Sequence, residues 1–150
     1  MSGLLEIVLV DAQGLPKSDL IGKMDPYVTI QYKNQNVRSS VAKGQGTNPV
    51  WDDKLTLWVE YPEPDGQYNV VFKIFDRDTF SRDDLIGETT ISVKDLVELG
   101  AKKGKTNVEP RKYSVFESKK NKPVQGRAGD IHVGLTFTPK DMLNRGHVKD

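Results

Sequence analysis

The chain has 150 residues, of which 36 % are hydrophobic and 29 % charged, and its net charge is +1. That length suits one domain with its own core, the composition excludes a disordered chain, and no apolar run approaches the roughly 18 residues that cross a bilayer. The absence of cysteine removes disulfides, cysteine zinc sites and thiol nucleophiles together, and two histidines, His132 and His147, leave little for a histidine metal site or a catalytic triad. The opening Met-Ser-Gly-Leu-Leu-Glu has no basic n-region and no glycine at position 2, so neither a secretory signal nor a lipid anchor is expected.

In chain order, Leu5-Ile7-Leu9 alternate with polar or outward positions, the period-2 pattern of a half-buried strand. Val28-Ile30-Tyr32 repeat the pattern, and a shorter strand is expected near Val37–Ala42. After Gly44-Gln45-Gly46 comes Leu55-Leu57-Val59-Tyr61, and after Pro62-Glu63-Pro64-Asp65-Gly66 comes Val70-Phe72-Ile74. Thr89-Ile91-Val93 form the next strand. A short helix is expected from Val93 to about Leu99, with Ser92 and Asp95 as a capping box and Gly100 as its end. A short strand near Lys112–Phe116 and a long one through Ile131-Val133-Leu135-Phe137 bring the total to about eight. Strands at this spacing, with turn residues between them, predict an all-β, antiparallel β-sandwich in a single domain over 1–140, with a tail at 141–150.

The near-neutral net charge conceals two local excesses. Between Asp76 and Glu88 five acids (Asp76, Asp78, Asp83, Asp84, Glu88) face two bases (Arg77, Arg82). Between Ala101 and Arg127 nine bases, among them Lys119, Lys120 and Lys122, face only Glu109 and Glu117, in a stretch that reads as loose and as lying outside the acidic loops. The acidic excess belongs to one of two loops. Leu15–Tyr27 carries Asp19 and Asp25 six apart between strands, and Phe75–Glu88 carries Asp76 and Asp78 at i, i+2, with Asp84 six further on. Aspartate is common in turns because it caps its own loop backbone. Several carboxylates at one cleft, however, repel one another unless a cation neutralises them, and hard divalent cations seek oxygen ligands of this kind. The pattern is not an EF-hand. Counted from Asp76, position 6 is Ser81 instead of glycine, position 12 is Gly87 instead of glutamate, and the flanks are strands.

Asp19-x5-Asp25-Pro26-Tyr27-Val28, then Asn48-Pro49-Val50-Trp51-Asp52, then Asp76-x-Asp78-x5-Asp84-Leu85-Ile86-Gly87-Glu88 resemble, in that order, the motifs of a C2 domain over about Leu4 to Thr138. The strand feeding the first loop at the very start, and the closing Gly129–Leu135, resemble the type II of the two permuted C2 topologies. Arg38-Ser39-Ser40-Val41-Ala42-Lys43, Tyr61-Pro62 and Thr79–Asp84 are most similar to the small plant single-C2 proteins of the elicitor-responsive and phloem type. The resemblance implies an eight-stranded sandwich with calcium-binding loops at one end. It implies five metal ligands, Asp19, Asp25, Asp76, Asp78 and Asp84, holding two or three Ca2+, with Asp83 left outside the ligand set. It further implies that Leu20, Ile21 and Phe80 at the loop tips enter a membrane. Where some members carry a Lys-x-Lys pair for phosphoinositides, this chain has Val37-Arg38-Ser39-Ser40, with Lys33, Arg38 and Lys43 as the nearby bases.

The function expected is therefore calcium-dependent binding of anionic phospholipid membrane, in signalling or defence, by a monomeric, non-enzymatic and cytoplasmic protein that moves reversibly to the plasma membrane. RNA bound through the basic stretch 101–127, with Lys119, Lys120 and Lys122 as contacts, is the alternative. A protein partner is a further one. Against RNA, the stretch has Tyr113 and Phe116 but no recognisable RNA motif.

Overall fold

The computed structural model describes residues 1–18 and 22–143. Eight strands run in the order β1 (Ser2–Gln13), β2 (Pro26–Tyr32), β3 (Gln35–Arg38), β4 (Val50–Glu60), β5 (Asn69–Asp76), β6 (Asp84–Ser92), β7 (Thr106–Glu117) and β8 (Arg127–Pro139). All pairings are antiparallel, in the lateral order β3-β2-β5-β6-β7-β8-β1-β4. The β6–β7 junction has only two paired positions, Gly87↔Glu117 and Glu88↔Phe116. The sheet folds over there into two four-stranded layers, β3-β2-β5-β6 and β7-β8-β1-β4.

The alternation read from the sequence becomes the core between these layers. Leu5, Ile7 and Leu9 from β1, Val28 and Ile30 from β2, Phe72 and Ile74 from β5, and Ile131, Val133 and Phe137 from β8 are all fully buried. Because side chains alternate with period 2, a one-residue slip in any of these strands would turn its apolar set to water, so burial fixes the register. Where β3 and β4 meet edge to edge, the Gln35 amide bridges them. Its nitrogen donates to the Trp58 carbonyl at 2.7 Å and its oxygen accepts from the Trp58 N–H at 2.8 Å. A side-chain amide thus serves as a surrogate strand on an otherwise open edge.

Three sequence expectations need correction. The helix, α1, spans Lys94–Lys103 instead of stopping near Leu99, and its N-cap residue Val93 makes no side-chain capping bond. Ser92 Oγ does accept from the Lys94 N–H, at 3.4 Å. Gly100 does not end the helix but lies buried inside it, where an added Cβ would come within 2.5 Å of the Phe137 ring. Its role is close packing, and Gly104, at φ 96°, ends the helix instead. Finally, the stretch read as loose is largely ordered strand. β7 covers twelve residues, and the turn to β8 is confined to residues 118–126.

Candidate functional site

The strand register brings distant aspartates to one end of the molecule. Pro26, which follows Asp25, pairs with Asp76 across β2 and β5, and Asp76 pairs with Asp84 across β5 and β6. Neighbouring strands lie about 5 Å apart, so Asp25 and Asp76, 51 positions apart, become lateral neighbours, and Asp84 flanks Asp76 on its other side. Asp76 is the innermost, at 3 % exposure. A buried carboxylate needs donors, and Asp76 has two: the Asp25 N–H at 2.9 Å on Oδ1 and the Ser18 hydroxyl at 2.7 Å on Oδ2. Asp76 thereby fastens the first loop to the end of β5, and the Arg77 N–H, donating to the Asp25 carbonyl at 3.1 Å, reinforces the link.

Asp25 Oδ1 accepts the Gly44 N–H at 2.6 Å, which draws in the loop between β3 and β4. Two residues of the second motif anchor that loop. Asn48 Oδ1 accepts the Gly14 N–H at 3.0 Å, and the buried Trp51 indole donates to the Pro26 carbonyl at 3.0 Å. Three loops are thus tied to one another before any ligand arrives.

Asp78 organises the tip of the loop between β5 and β6. Its oxygens accept the Phe80 N–H at 2.9 Å and the Ser81 hydroxyl at 2.6 Å. The Ser81 hydroxyl, then the Phe80 N–H, holds the Asp78 carboxyl below the usual carboxylate range. Phe80 itself is 97 % exposed, an unusual position for a phenyl ring.

Asp83 belongs to the loop's scaffold. It accepts the Asp78 N–H at 2.9 Å and the Tyr27 hydroxyl. Burial, then the Asp83 hydrogen bond, pushes the Tyr27 phenol up to about 12. Tyr27 also stacks on Phe75, with ring centroids 5.5 Å apart, and carries the Arg38 guanidinium 4.3 Å from its own centroid. Sequence reasoning did not assign roles to Ser18, Gly44, Tyr27 or Trp51. The signals were present in Asp-Pro-Tyr and Asn-Pro-Val-Trp, whose residues anchor loops without being candidate ligands.

Asp19, Leu20 and Ile21 lie outside the described residues. Among those described, no group of three or more acidic or histidine side chains converges closely enough to hold a metal ion. Both oxygens of Asp76 and of Asp78, and Oδ1 of Asp25, are held by the protein donors just named. The donor set nonetheless fits a hard cation. It is all oxygen, its carboxylates sit at adjoining strand ends, and an ionised carboxylate keeps acceptor sites beyond those one donor fills.

The predicted basic contacts do not form one surface. Lys33 lies in the turn after β2, a strand's length (roughly 20 Å) from the aspartates, and is paired with Asp65 at 2.6 Å. Arg38 is on the Tyr27 ring, and Lys43 adjoins Gly44 in the loop that Asp25 holds. Within 101–127, Lys102 and Lys103 end α1, Arg111 and Lys112 lie on β7, and Lys119, Lys120 and Lys122 occupy the β7–β8 turn. That turn is not outside the acidic loops. The Ser118 N–H donates to the Ile86 carbonyl at 3.3 Å, and Lys119 and Lys120 share a cleft with Lys17, Arg82, Asp83 and Asp84.

The C2 domain family model matches residues 3–111. The chain belongs to the C2 domain family. It is 43 % identical over 137 residues to 16 kDa phloem protein 1 of Arabidopsis thaliana, covering 91 % of this chain and 85 % of that one. It is also 43 % identical over 140 residues to elicitor-responsive protein 1 of Oryza sativa subsp. japonica, with the same coverage. Among solved structures, a C2 domain-containing protein whose gene is called elicitor-responsive superposes with a TM-score of 0.70 at 34 % identity, over 93 % of this chain and 90 % of that one. The calcium-bound tandem C2 domains of Extended-Synaptotagmin 2 give a TM-score of 0.63 at 26 % identity, over 90 % of this chain and 45 % of that one. C2 domains are, as a family, calcium- and membrane-binding modules.

Proposed function

We propose that this C2 domain binds anionic phospholipid membrane in response to calcium, through Asp19, Asp25, Asp76, Asp78 and Asp84. The observation that carries the reading is the register that sets Asp25, Asp76 and Asp84 side by side, with the exposed Phe80 at the same end. Without a cation the five carboxylates leave this end negative, and an anionic surface repels it. Bound calcium, two or three ions, supplies roughly +4 to +6, which offsets that charge and leaves coordination positions for lipid oxygens. The loops do the rest. Asp76, Gly44 and Trp51 hold them in fixed relation, and Phe80 stands ready to leave water for the interface, together with Leu20 and Ile21.

Lipid and calcium then tighten each other's binding by the same factor, because the linkage is reciprocal. In a cell this makes a cytoplasmic protein that moves to the plasma membrane when calcium rises, as part of a signalling or defence response. The names of its phloem and elicitor-responsive relatives support that setting. Co-sedimentation with vesicles of phosphatidylcholine and phosphatidylserine tests the reading. Pelleting in calcium but not in chelator or magnesium is expected, and pelleting that is equal in all three overturns it.

A further inference from the structure

At the end of the sandwich opposite the aspartates lies a groove of about 920 Å³. β1 begins there at Ser2 and β8 ends there at Pro139, whereas Gln13, the other end of β1, leads into the first aspartate loop. A strand of this length puts roughly 35 Å between the two ends. The groove runs between the last turn of α1 and the short helical turn Lys140–Met142 that follows β8. Lys102 and Lys103 enter it from the helix and Lys140 from the turn, and Asp141 is the one carboxylate among its described lining residues. Among the described residues, the side chains of these three lysines make no hydrogen bond or ion pair, and all three are exposed.

Lysines in the last turn of a helix offset its dipole, which is worth about −0.5 charge at the C-terminus. Asp141 and that dipole together offset only about half of the three charges, and Lys140 belongs to a different element. Apolar groups lie between the bases. Met1, Ala101, Pro139 and Met142 line the groove, and the Met142 sulfur packs so closely over Gly104 that an added Cβ would come within 2.7 Å of it. Leu99, 41 % exposed, stands one helical turn before Lys102 and Lys103 on the same side of α1. Exposed apolar surface rimmed by charge marks an interaction site.

From this arrangement we infer that the groove binds an acidic peptide segment of a partner protein, one that carries aliphatic side chains among its carboxylates. The unpaired lysines set the sign of the partner, and the apolar lining sets the rest of its chemistry. Methionine side chains adapt to the shape of what they meet. The lining has no aromatic ring on which a base would stack, which sets it apart from RNA sites, and a recess receives side chains that a flat bilayer surface does not offer. The chain's own residues 144–150 carry Arg145 and Lys149 against Asp150, the same sign as the groove. The inference goes beyond the membrane reading. With the aspartate loops on a bilayer, the groove at the far end faces away from it and holds the partner there.

The test titrates the full, isotope-labelled chain with the peptide Glu-Glu-Leu-Glu-Glu-Leu-Glu-Glu and follows its amides by NMR. It is run in chelator, so its outcome does not depend on the calcium reading. Shifts are expected to concentrate in residues 99–104 and 140–143. Lys102→Gln with Lys103→Gln and Lys140→Gln should weaken binding at least about fivefold, an exposed ion pair being worth roughly a factor of two. A peptide with serine in place of both leucines, at the same charge, should bind at least about threefold more weakly. Shifts that concentrate at other bases, or none in the groove because the chain's own last residues fill it, overturn the proposal. So does a serine peptide bound as tightly as the leucine one, since charge alone would then hold it. Oligouridylate or phosphatidylserine vesicles that displace the peptide and bind the same residues more tightly would give the groove to RNA or to a bilayer, and overturn it as well.

Discussion

The acidic cluster and the basic stretch make opposite passages from sequence to space. Asp25, Asp76 and Asp84 come from two loops up to 59 positions apart, yet pairing between β2, β5 and β6 makes them neighbours. The nine bases between 101 and 127 are close in sequence, yet they are divided among the end of α1 and the link after it, β7, the β7–β8 turn and the start of β8. Proximity along the chain is a poor guide to proximity in a sandwich, because a strand carries its two ends roughly 20–40 Å apart while joining its flanks at about 5 Å. The contrast is informative for function. The acids gather at one end of the sandwich, and the turn at residues 118–126 lies beside them.

The most severe way to break the comparison is to remove two of the gathered charges. Asp25→Asn with Asp78→Asn should abolish calcium-dependent vesicle pelleting while the circular dichroism spectrum stays that of a folded protein. Lys102→Gln with Lys103→Gln, at the distant end of the basic stretch, should change the calcium midpoint less than about twofold. Wild-type behaviour of the aspartate variant would refute the ligand assignment.

Gathering depends on anchors as well as on ligands. Trp51 is 6 % exposed and donates to the Pro26 carbonyl. Trp51→Ala should therefore lower stability in urea unfolding by about 3–5 kcal/mol, whereas Lys120→Ala in the exposed turn should stay within about 0.5 kcal/mol.

Phe80 sharpens the same contrast from the membrane side. Full burial of such a side chain is worth roughly 1.5–3 kcal/mol, and partial insertion less. Phe80→Ala should weaken vesicle binding at saturating calcium by up to about tenfold to a hundredfold, in a manner that high salt does not erase. Its melting temperature should be unchanged, since the ring is almost wholly exposed. Adding Leu20→Ala should weaken binding further.

Calcium itself should raise the melting temperature progressively once its concentration exceeds Kd, as any ligand of the folded chain alone does. Magnesium should do much less, because it keeps its waters and demands a tighter octahedral shell. Equal shifts from both ions would reduce the site to charge screening.

The smallest effect lies behind the cluster, at Tyr27. Its folded pKa, about 12, lies above the ordinary value of 10.0. The proton is thus bound more tightly in the folded state, so the stabilisation is complete below pH 10 and lost as the pH rises toward 12. Tyr27→Phe should remove one late-titrating phenol from an ultraviolet titration and flatten the fall in stability over that window. Loss of a phenol titrating at the ordinary 10.0 instead would mean that Tyr27 and Asp83 are not coupled.

How far the sequence alone reached follows from what each feature depends on. Period-2 alternation through Leu5-Ile7-Leu9, Val70-Phe72-Ile74 and Ile131-Val133-Leu135-Phe137 determined the strands and their inner faces, because burial of one face is a local constraint repeated at every second residue. The ordered aspartate motifs determined the family, since their spacing is set by loop lengths within the chain. Tertiary structure decided the rest, where the answer depends on which residue lies opposite. Gly100 looked like a helix end and proved to be a position where α1 packs so closely on Phe137 that a Cβ would clash with the ring. Asp83 looked like a surplus acid and proved to join Tyr27 to the backbone of Asp78. The turn bearing Lys119 and Lys120 read as remote from both loops until the β6–β7 junction folded one sheet over the other and set it beside Arg82. No local rule contains that last step, because a sandwich brings its loops together only when both layers close on a shared core.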